Sequence, residues 1–516
     1  MKPQPVKSLP AAQSSYLLVS VFISGAATLV LEMAGTRVIS PYYGSSLYCW
    51  SALITATLIS LAAGYALGGC WADSKPALSL FAGLATTGGT AIAVIPLLRT
   101  TLLTLSSPLG IKWGALAAAL LLMSPALVVL SALGPIAVKL MTETVAAVGK
   151  RTGNIYAVST LGSVIGAALA GFVLVPQFRI SHILYGVSCL LLVIGAAGFY
   201  LSSAKFFSAA PAGLGLLVAF FGLRPEKEPA TNILLNKESH YGQVKVLDFG
   251  GRRYLLVNGT AQAMAWSDSL ESDSQYAQAM EWAALLRPKA KNALVIGLGA
   301  GLLPGALEKH YGLTADSVDI DPEMVSAAKN YFGFFPRGRV FIEDGRTFLE
   351  KADRDYDMIF LDAFAAESPP YHLFTQESFA VVKRAMAPEG ILAVNLATLL
   401  QQRGGAPWLS AFKTLRKVFP EVRAYRASAD YDGLANVVFF CSNTPLPADG
   451  AARRARSHIR KNIDYMLAHE LRPSAQDLSG ATLMSDDHSP MEFLLAKTSA
   501  QWRQGLQKKI SSILLY

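Results

Sequence analysis

Charge is scarce in this 516-residue chain: Asp, Glu, Lys and Arg make up 16% of it, against roughly 25% in an ordinary soluble domain. Cysteine is scarcer still. Cys49, Cys70, Cys189 and Cys441 are scattered without a CxxC or Cys/His spacing, which excludes a disulfide framework and gives no sign of zinc or an iron–sulfur cluster. No metal enters the expected cofactors. Internal repeats and low-complexity tracts are missing, so solenoid architectures drop out. The formal charge of +9 comes without clustered basic and aromatic residues, and nucleic acid is not an implied partner.

What the chain has in excess is apolar residues, 52% of the total, with a mean hydropathy of +0.36. The excess sits in the first 223 residues. Seven runs there, about 16–36, 48–71, 77–98, 113–134, 153–175, 181–201 and 206–223, are each near the ~20 residues that cross a hydrocarbon layer. They predict an all-α polytopic membrane domain with the lipid bilayer as its partner, the fourth helix continuing towards Lys139. Gly64 and Gly68 are four apart, as are Gly162 and Gly166, a spacing that lets two helices approach closely. Glu32 falls near the end of the first run with Arg37 just beyond, which reads as an interfacial pair rather than a transport site.

The composition changes at Arg224. RPEKEPATNILLNKES is charged and Pro-broken, and 224–239 reads as a linker between the membrane domain, 1–223, and the rest. QVKVLDF and RRYLLVN, joined by Gly250-Gly251, predict a β-hairpin, with a second turn at Asn258-Gly259; residues 240–266 are a small β subdomain. After a helix over about 269–286, strands and helices alternate. Helices are expected at 304–310, 322–332, 376–387 and 407–418, and strands ending at Asp319 and over 339–342, 356–361 and 391–396. A strand pair near 422–441 closes the series. The pattern is an α/β Rossmann-like domain, 267–450, with a mostly parallel sheet covered on both faces. Residues 451–516 read as a helical extension, with a solvated basic face over 451–472.

Everything in that domain is arranged around NALVIGLGAG, 292–301. A short apolar strand breaks at Gly297, and Gly299 and Gly301 follow at alternate positions, as a tight turn approached by a ligand or by packed backbone requires. Asp319 ends the next strand, where a carboxylate can hold a ribose diol, and Asp344-Gly345 follows the strand after, within reach of an adenine edge. Three strand ends converging on one crevice read as a nucleoside site. Asp362 emerges from the wholly apolar YDMIFL and can accept a proton from an amine, steady a sulfonium, or merely cap the next segment. Tyr276 and Tyr431 are candidate wall residues. Basic loop residues divide evenly between the two sides, so charge does not orient the chain. A cytosolic nucleoside ligand would put the C-terminal half in the cytoplasm, and seven spans the N-terminus outside.

VNGTAQ (257–262), Tyr276, the glycine loop, VDID (318–321), EDG (343–345), LDAF (361–364), HLF (372–374) and Tyr431 occur in an order that resembles spermidine synthases, the polyamine aminopropyltransferases. With the apolar N-terminal half and SDDHSP-x-E (485–492), the chain resembles the membrane-fused branch of that family. The resemblance implies decarboxylated S-adenosylmethionine as donor and an amine that attacks the carbon beside the sulfonium, giving a polyamine and methylthioadenosine. It implies that Gln262 and Asp319 hold the donor, Asp344 reads the adenine, Asp362 serves the amine, and Tyr276 and Tyr431 line the acceptor slot. It also implies homodimers.

The departures from the family pattern are specific. Ala300 stands where the family carries an aspartate that pairs with the donor's ammonium, and Ala365 replaces a second acceptor-side aspartate. Ala277 and Asn395 replace a glutamine or histidine and a glutamine. Two missing carboxylates weaken the attraction for a dication, and the one missing at 300 removes a repulsion against undecarboxylated S-adenosylmethionine. An S-adenosylmethionine lyase, giving methylthioadenosine and homoserine lactone without an amine, is therefore an alternative. A transporter with a nucleoside-sensing domain and an ordinary methyltransferase are the others.

Overall fold

The computed structural model describes residues 9–44, 47–74, 76–142, 144, 147–202, 232–364, 368–400, 407–428, 433–447, 454–499 and 501–502. The chain divides into two units, 1–227 and 228–516.

Among the described residues, six helices of the first unit are long and apolar enough to cross a membrane. They are α1 (Ala11–Tyr43), α2 (Leu47–Ser74), α3 (Leu78–Ser106), α4 (Gly110–Met141), α5 (Val148–Leu169) and α6 (Ile180–Leu201). The seventh expected run, 206–223, lies outside the described residues. α4 passes through Pro125 and Pro135 to Met141, reaching Lys139 as expected, and α1 outruns its apolar run to end at Tyr43. Glu32 therefore sits about 16 Å short of the end of α1 at 1.5 Å per residue.

Glycine sets the closest helix contacts. A Cβ on Gly162 of α5 would stand 2.0 Å from the Phe22 carbonyl oxygen of α1, and one on Gly166 2.5 Å from that of Ala26. Gly64 and Gly68 of α2 meet α4 in the same way, 1.9 Å from Ser131 Oγ and 2.6 Å from the Ala132 carbonyl oxygen. Hydroxyls inside the bundle find partners there: Ser60 Oγ donates to Ser124 Oγ at 2.7 Å and Ser188 Oγ to the Gly89 carbonyl at 2.7 Å. Leu58, Ile59, Val164 and Phe172 are exposed, an apolar exterior that suits lipid better than water.

The second unit opens with a four-stranded antiparallel sheet in sequence order, β1 (Ile233–Glu238), β2 (Gln243–Phe249), β3 (Arg252–Val257) and β4 (Thr260–Trp266). Both predicted turns are present. Gly250 and Gly251 have φ of 58° and 74°, and Asn258 and Gly259 50° and 77°, the double positive φ of a type I′ hairpin. Part of the expected linker is strand: Ile233–Glu238 pairs with β2. The helix expected over 269–286 begins only at Gln275 and is interrupted at Glu281, giving α7 (Gln275–Met280) and α8 (Trp282–Leu286). Residues 267–272 instead turn back on β4, with Leu270 at φ 55° and a bridge between Ala265 and Ser272. The polar run SDSLESDS favours such turns over a helix.

The larger sheet has eight strands in the order β12-β10-β11-β9-β8-β5-β6-β7. β5 (Asn292–Ile296), β6 (Thr314–Asp319), β7 (Val340–Ile342), β8 (Tyr356–Leu361) and β9 (Met386–Leu399) are parallel neighbours. β10 (Glu421–Arg426), β11 (Leu434–Ser442) and β12 (Glu470–Leu471) extend the sheet antiparallel. Alternation along the strands feeds two cores: Leu294, Ile296, Ile359 and Leu361 face one side, Ala293, Val295, Met358 and Phe360 the other. The helix at Ser457–Ala468 buries Ile459, Ile463 and Met466 and exposes Arg460 and Lys461. It leads into β12, so this part of the expected extension belongs to the domain. Strand order reverses between β5 and β8, and a crevice outside the carboxyl ends at that point is where such sheets hold ligands.

Gly162→Ala should destabilise the detergent-purified protein by about 1–3 kcal/mol through overpacking. Gly69→Ala, whose Cβ would meet nothing within 4 Å, should leave it unchanged or raise stability by up to about 1 kcal/mol; thermal unfolding compares the two.

Candidate active site

The turn after β5 is tighter than a ligand alone demands. Gly297 (φ +90°) would, with a Cβ, stand 2.4 Å from the Asp362 carbonyl oxygen, and Gly301 (φ +72°) 2.5 Å from the Phe334 ring. These two let β5 run against the end of β8 and the turn against Phe334. Gly299 (φ +54°) has open space where its Cβ would be, so of the three it is the one that leaves room for a ligand.

Asp319 ends β6 and is bound to that turn. Its carboxylate accepts the Leu298 N–H at 2.9 Å and the Asp321 N–H at 2.9 Å. Burial pushes its carboxyl up to about 6, against these hydrogen bonds and helped by the charge of Asp321. Ile320 and Ile342, beside it at the strand ends, are 42% and 57% exposed and offer apolar surface to a flat base. Asp344 caps the helix Gly345–Glu350, accepting the Arg346 and Thr347 N–H groups at 3.1 and 3.0 Å, while His372 Nε2 lies 2.9 Å from its second oxygen. Burial raises this carboxyl, but the bonds from Thr347 and His372 outweigh it and hold it below the usual range. Both oxygens are thus engaged already. Gln262 is the extra residue of a β-bulge: Ala261 pairs with Leu256 and Ala263 with Leu255, an irregularity that re-aims a side chain.

Asp362, just past β8, is the most perturbed acid of the crevice. Asn395 Nδ2 donates to its Oδ1 at 2.8 Å, and the Tyr276 hydroxyl is bonded to it as well. Burial nevertheless pushes the carboxyl up to about 7. Tyr276 is driven well above its ordinary value by burial and then by the Asp362 charge, so it remains a donor. A relay continues behind: Asn436 Nδ2 donates to Asn395 Oδ1 at 3.0 Å, and the Asn436 N–H to Ser428 Oγ at 2.9 Å. With its oxygen held by Asn436, the Asn395 amide has its nitrogen turned to Asp362. Tyr431 and Ala365 lie outside the described residues. Ala300 is buried in an apolar cluster with Val244, Val246, Leu255, Met324 and Phe332.

Two participants escaped sequence reasoning. Tyr241 is raised by burial and then by the charges of Asp321, Asp319 and Asp344. Asn436 had a visible signal, an amide within the buried strand LANVVFFCS. An unpartnered amide costs too much there to be incidental.

A glycine turn with acids at the neighbouring strand ends, at the point where strand order reverses, marks the ligand-binding crevice of an open α/β sheet. A model of the spermine/spermidine synthase domain matches residues 276–429. The polyamine aminopropyltransferase of Vibrio vulnificus is 30% identical over 224 residues, 41% of this chain and 72% of that protein. The N-terminal histidine N-methyltransferase of Emericella nidulans is 32% identical over 183 residues, 32% of each chain, so the match spans about a third of that relative. The crystal structure of spermidine synthase from Thermotoga maritima matches 48% of this chain and 88% of its own, at 19% identity and a TM-score of 0.41. The chain belongs to the polyamine aminopropyltransferase family.

A raised acid costs stability once it ionises. The Asp362 carboxyl sits near 7 in the folded protein, against an ordinary value of 3.8. Its neutral form therefore adds stability that is complete below about pH 4 and is lost as pH rises through about 7. Asp362→Asn should raise the melting temperature at pH 8 by on the order of a few degrees, and the gain should vanish near pH 4.

Proposed function

We propose that the second unit transfers an aminopropyl group from decarboxylated S-adenosylmethionine to a polyamine, on a chain anchored in the membrane by the helices of the first unit, with the catalytic unit in the cytoplasm. The single observation that carries the mechanism is the placement of Asp362 just past β8 against the glycine turn, its carboxylate held by Asn395 Nδ2 at 2.8 Å and pushed up by burial to about 7. A base of that pKa takes a proton well near neutral pH.

In this reading the nucleoside lies across the strand ends. Asp319 accepts from the ribose hydroxyls, Gln262 and Asp344 add polar contacts, and the base rests near Ile320 and Ile342. Gly299 gives the donor its close approach to the backbone. Asp362 draws the proton from the acceptor's ammonium, leaving a neutral nitrogen lone pair. That nitrogen attacks the carbon beside the sulfur. The N–C bond forms as the C–S bond breaks, and the bonding pair passes to sulfur, which leaves uncharged in methylthioadenosine. Tyr276 and Asn395 hold the carboxylate in place, so much of the rate comes from orientation. Tyr276, and by resemblance Tyr431, line the acceptor side. No metal is needed for this displacement.

One observation favours a second reading. Ala300 is enclosed by apolar side chains, so the loop offers the donor's terminal ammonium no carboxylate there. S-adenosylmethionine itself then meets no repulsion, and attack by its own carboxylate would release methylthioadenosine and homoserine lactone.

Mass spectrometry of products from the detergent-purified chain separates the two. The expected outcome is methylthioadenosine plus spermidine, from the decarboxylated donor only when putrescine is present. Asp362→Asn should slow it by about 10²–10⁴-fold. Methylthioadenosine and homoserine lactone from S-adenosylmethionine without amine would replace the first reading with the second.

A further inference from the structure

The segment 484–491, which that mechanism leaves unused, is tied to the nucleoside end of the crevice. Buried Met484 and Met491 fix its two ends in the sheet core. Between them Asp486 accepts both ends of the Arg346 guanidinium, Nη1 on Oδ1 and Nη2 on Oδ2, each at 2.7 Å. Thr375 Oγ1 donates to the same Oδ1 at 2.7 Å, and the Asp486 N–H donates to Glu377 Oε2 at 3.0 Å. The Gln376 N–H reaches the Met484 carbonyl at 3.0 Å, and Ser489 Oγ the Tyr371 carbonyl at 3.3 Å. The segment is a strap across residues 371–377.

What the strap holds is the support of Asp344. Arg346, whose own N–H caps onto Asp344, donates Nη1 to the His372 carbonyl at 3.3 Å, while the His372 ring meets Asp344 from the other side. Asp486 thus fixes both neighbours of that carboxylate without touching it. Bidentate arginine–carboxylate pairs hold geometry as well as charge.

We propose that Asp486 is a positioning residue for the nucleoside site, acting through Arg346 and His372 on Asp344. The inference rests on the reading above that a nucleoside binds at Asp319 and Asp344. Asp362 stands at a different strand end, so Asp486 should govern donor affinity and leave the chemical step alone.

The test is calorimetric titration of methylthioadenosine into the full-length, detergent-purified protein, with steady-state kinetics on the same variants. Asp486→Asn should weaken binding and raise the donor KM by about tenfold to a hundredfold, with kcat nearly unchanged. Asp486→Glu, which keeps the charge, should recover most of the affinity. Asp477→Ala breaks a capping box in the same C-terminal region, where Ser474 and Asp477 cap each other, and should melt earlier yet bind normally. Wild-type affinity in Asp486→Asn, or an equal loss in Asp477→Ala, would overturn the proposal. Failure of the wild-type protein to bind methylthioadenosine would overturn the functional reading, and the strap's role with it.

Discussion

The second unit depends on one unfavourable placement: a partly buried carboxylate just past the end of an almost wholly buried strand. β8 is buried nearly throughout, and its register against β5 and β9 delivers Asp362 to the switch point of the sheet. Desolvation there outweighs the hydrogen bonds from Asn395 and Tyr276. Those bonds fix where the acid points without lowering its proton affinity to the ordinary range. The Asn395–Asn436–Ser428 relay belongs to the same constraint, since an amide free to turn would present its oxygen to a carboxylate. Burying this carboxyl gives up stability at the switch point of the sheet.

The glycine turn shows how packing and binding share one segment. Gly297 and Gly301 are required by backbone and ring contacts, and Gly299 by its positive φ beside open space. Ala300 between them faces the other way, into the contact of the small sheet with the helix Pro322–Phe332. A carboxylate at 300 with that orientation would meet valines and leucine. The departure from the family pattern at 300 thus falls at a position whose surroundings are apolar.

Periodicity and turn chemistry made much of the fold legible. The type I′ hairpins at Gly250-Gly251 and Asn258-Gly259, the helix Pro407–Val418 and the strand Tyr356–Leu361 stand where local sequence put them. Local signals failed where the tertiary environment decided. The chain after β4 folds back instead of entering a helix, and α1 continues past its apolar run to Tyr43. Asp319, Asp344 and Asp362 were legible as candidates because each stands at or just beyond the end of a strand. Asn436 showed as an amide in a buried strand, but its partner Asn395, 41 residues away, did not, nor did the Asp486–Arg346 pair, 140 residues apart, because no short-range pattern encodes such contacts.

The pH dependence of kcat, with donor and amine both saturating, tests the central claim most directly. Turnover should rise with pH along a single limb with a midpoint near 7, the value to which burial pushes the Asp362 carboxyl. The limb should move up by about one unit or more in Asn395→Asp, where a second carboxylate opposes ionisation of the first. A flat profile from pH 5.5 to 8.5, at about wild-type rates, or a limb that Asn395→Asp leaves in place, would contradict the assignment of Asp362 as the base.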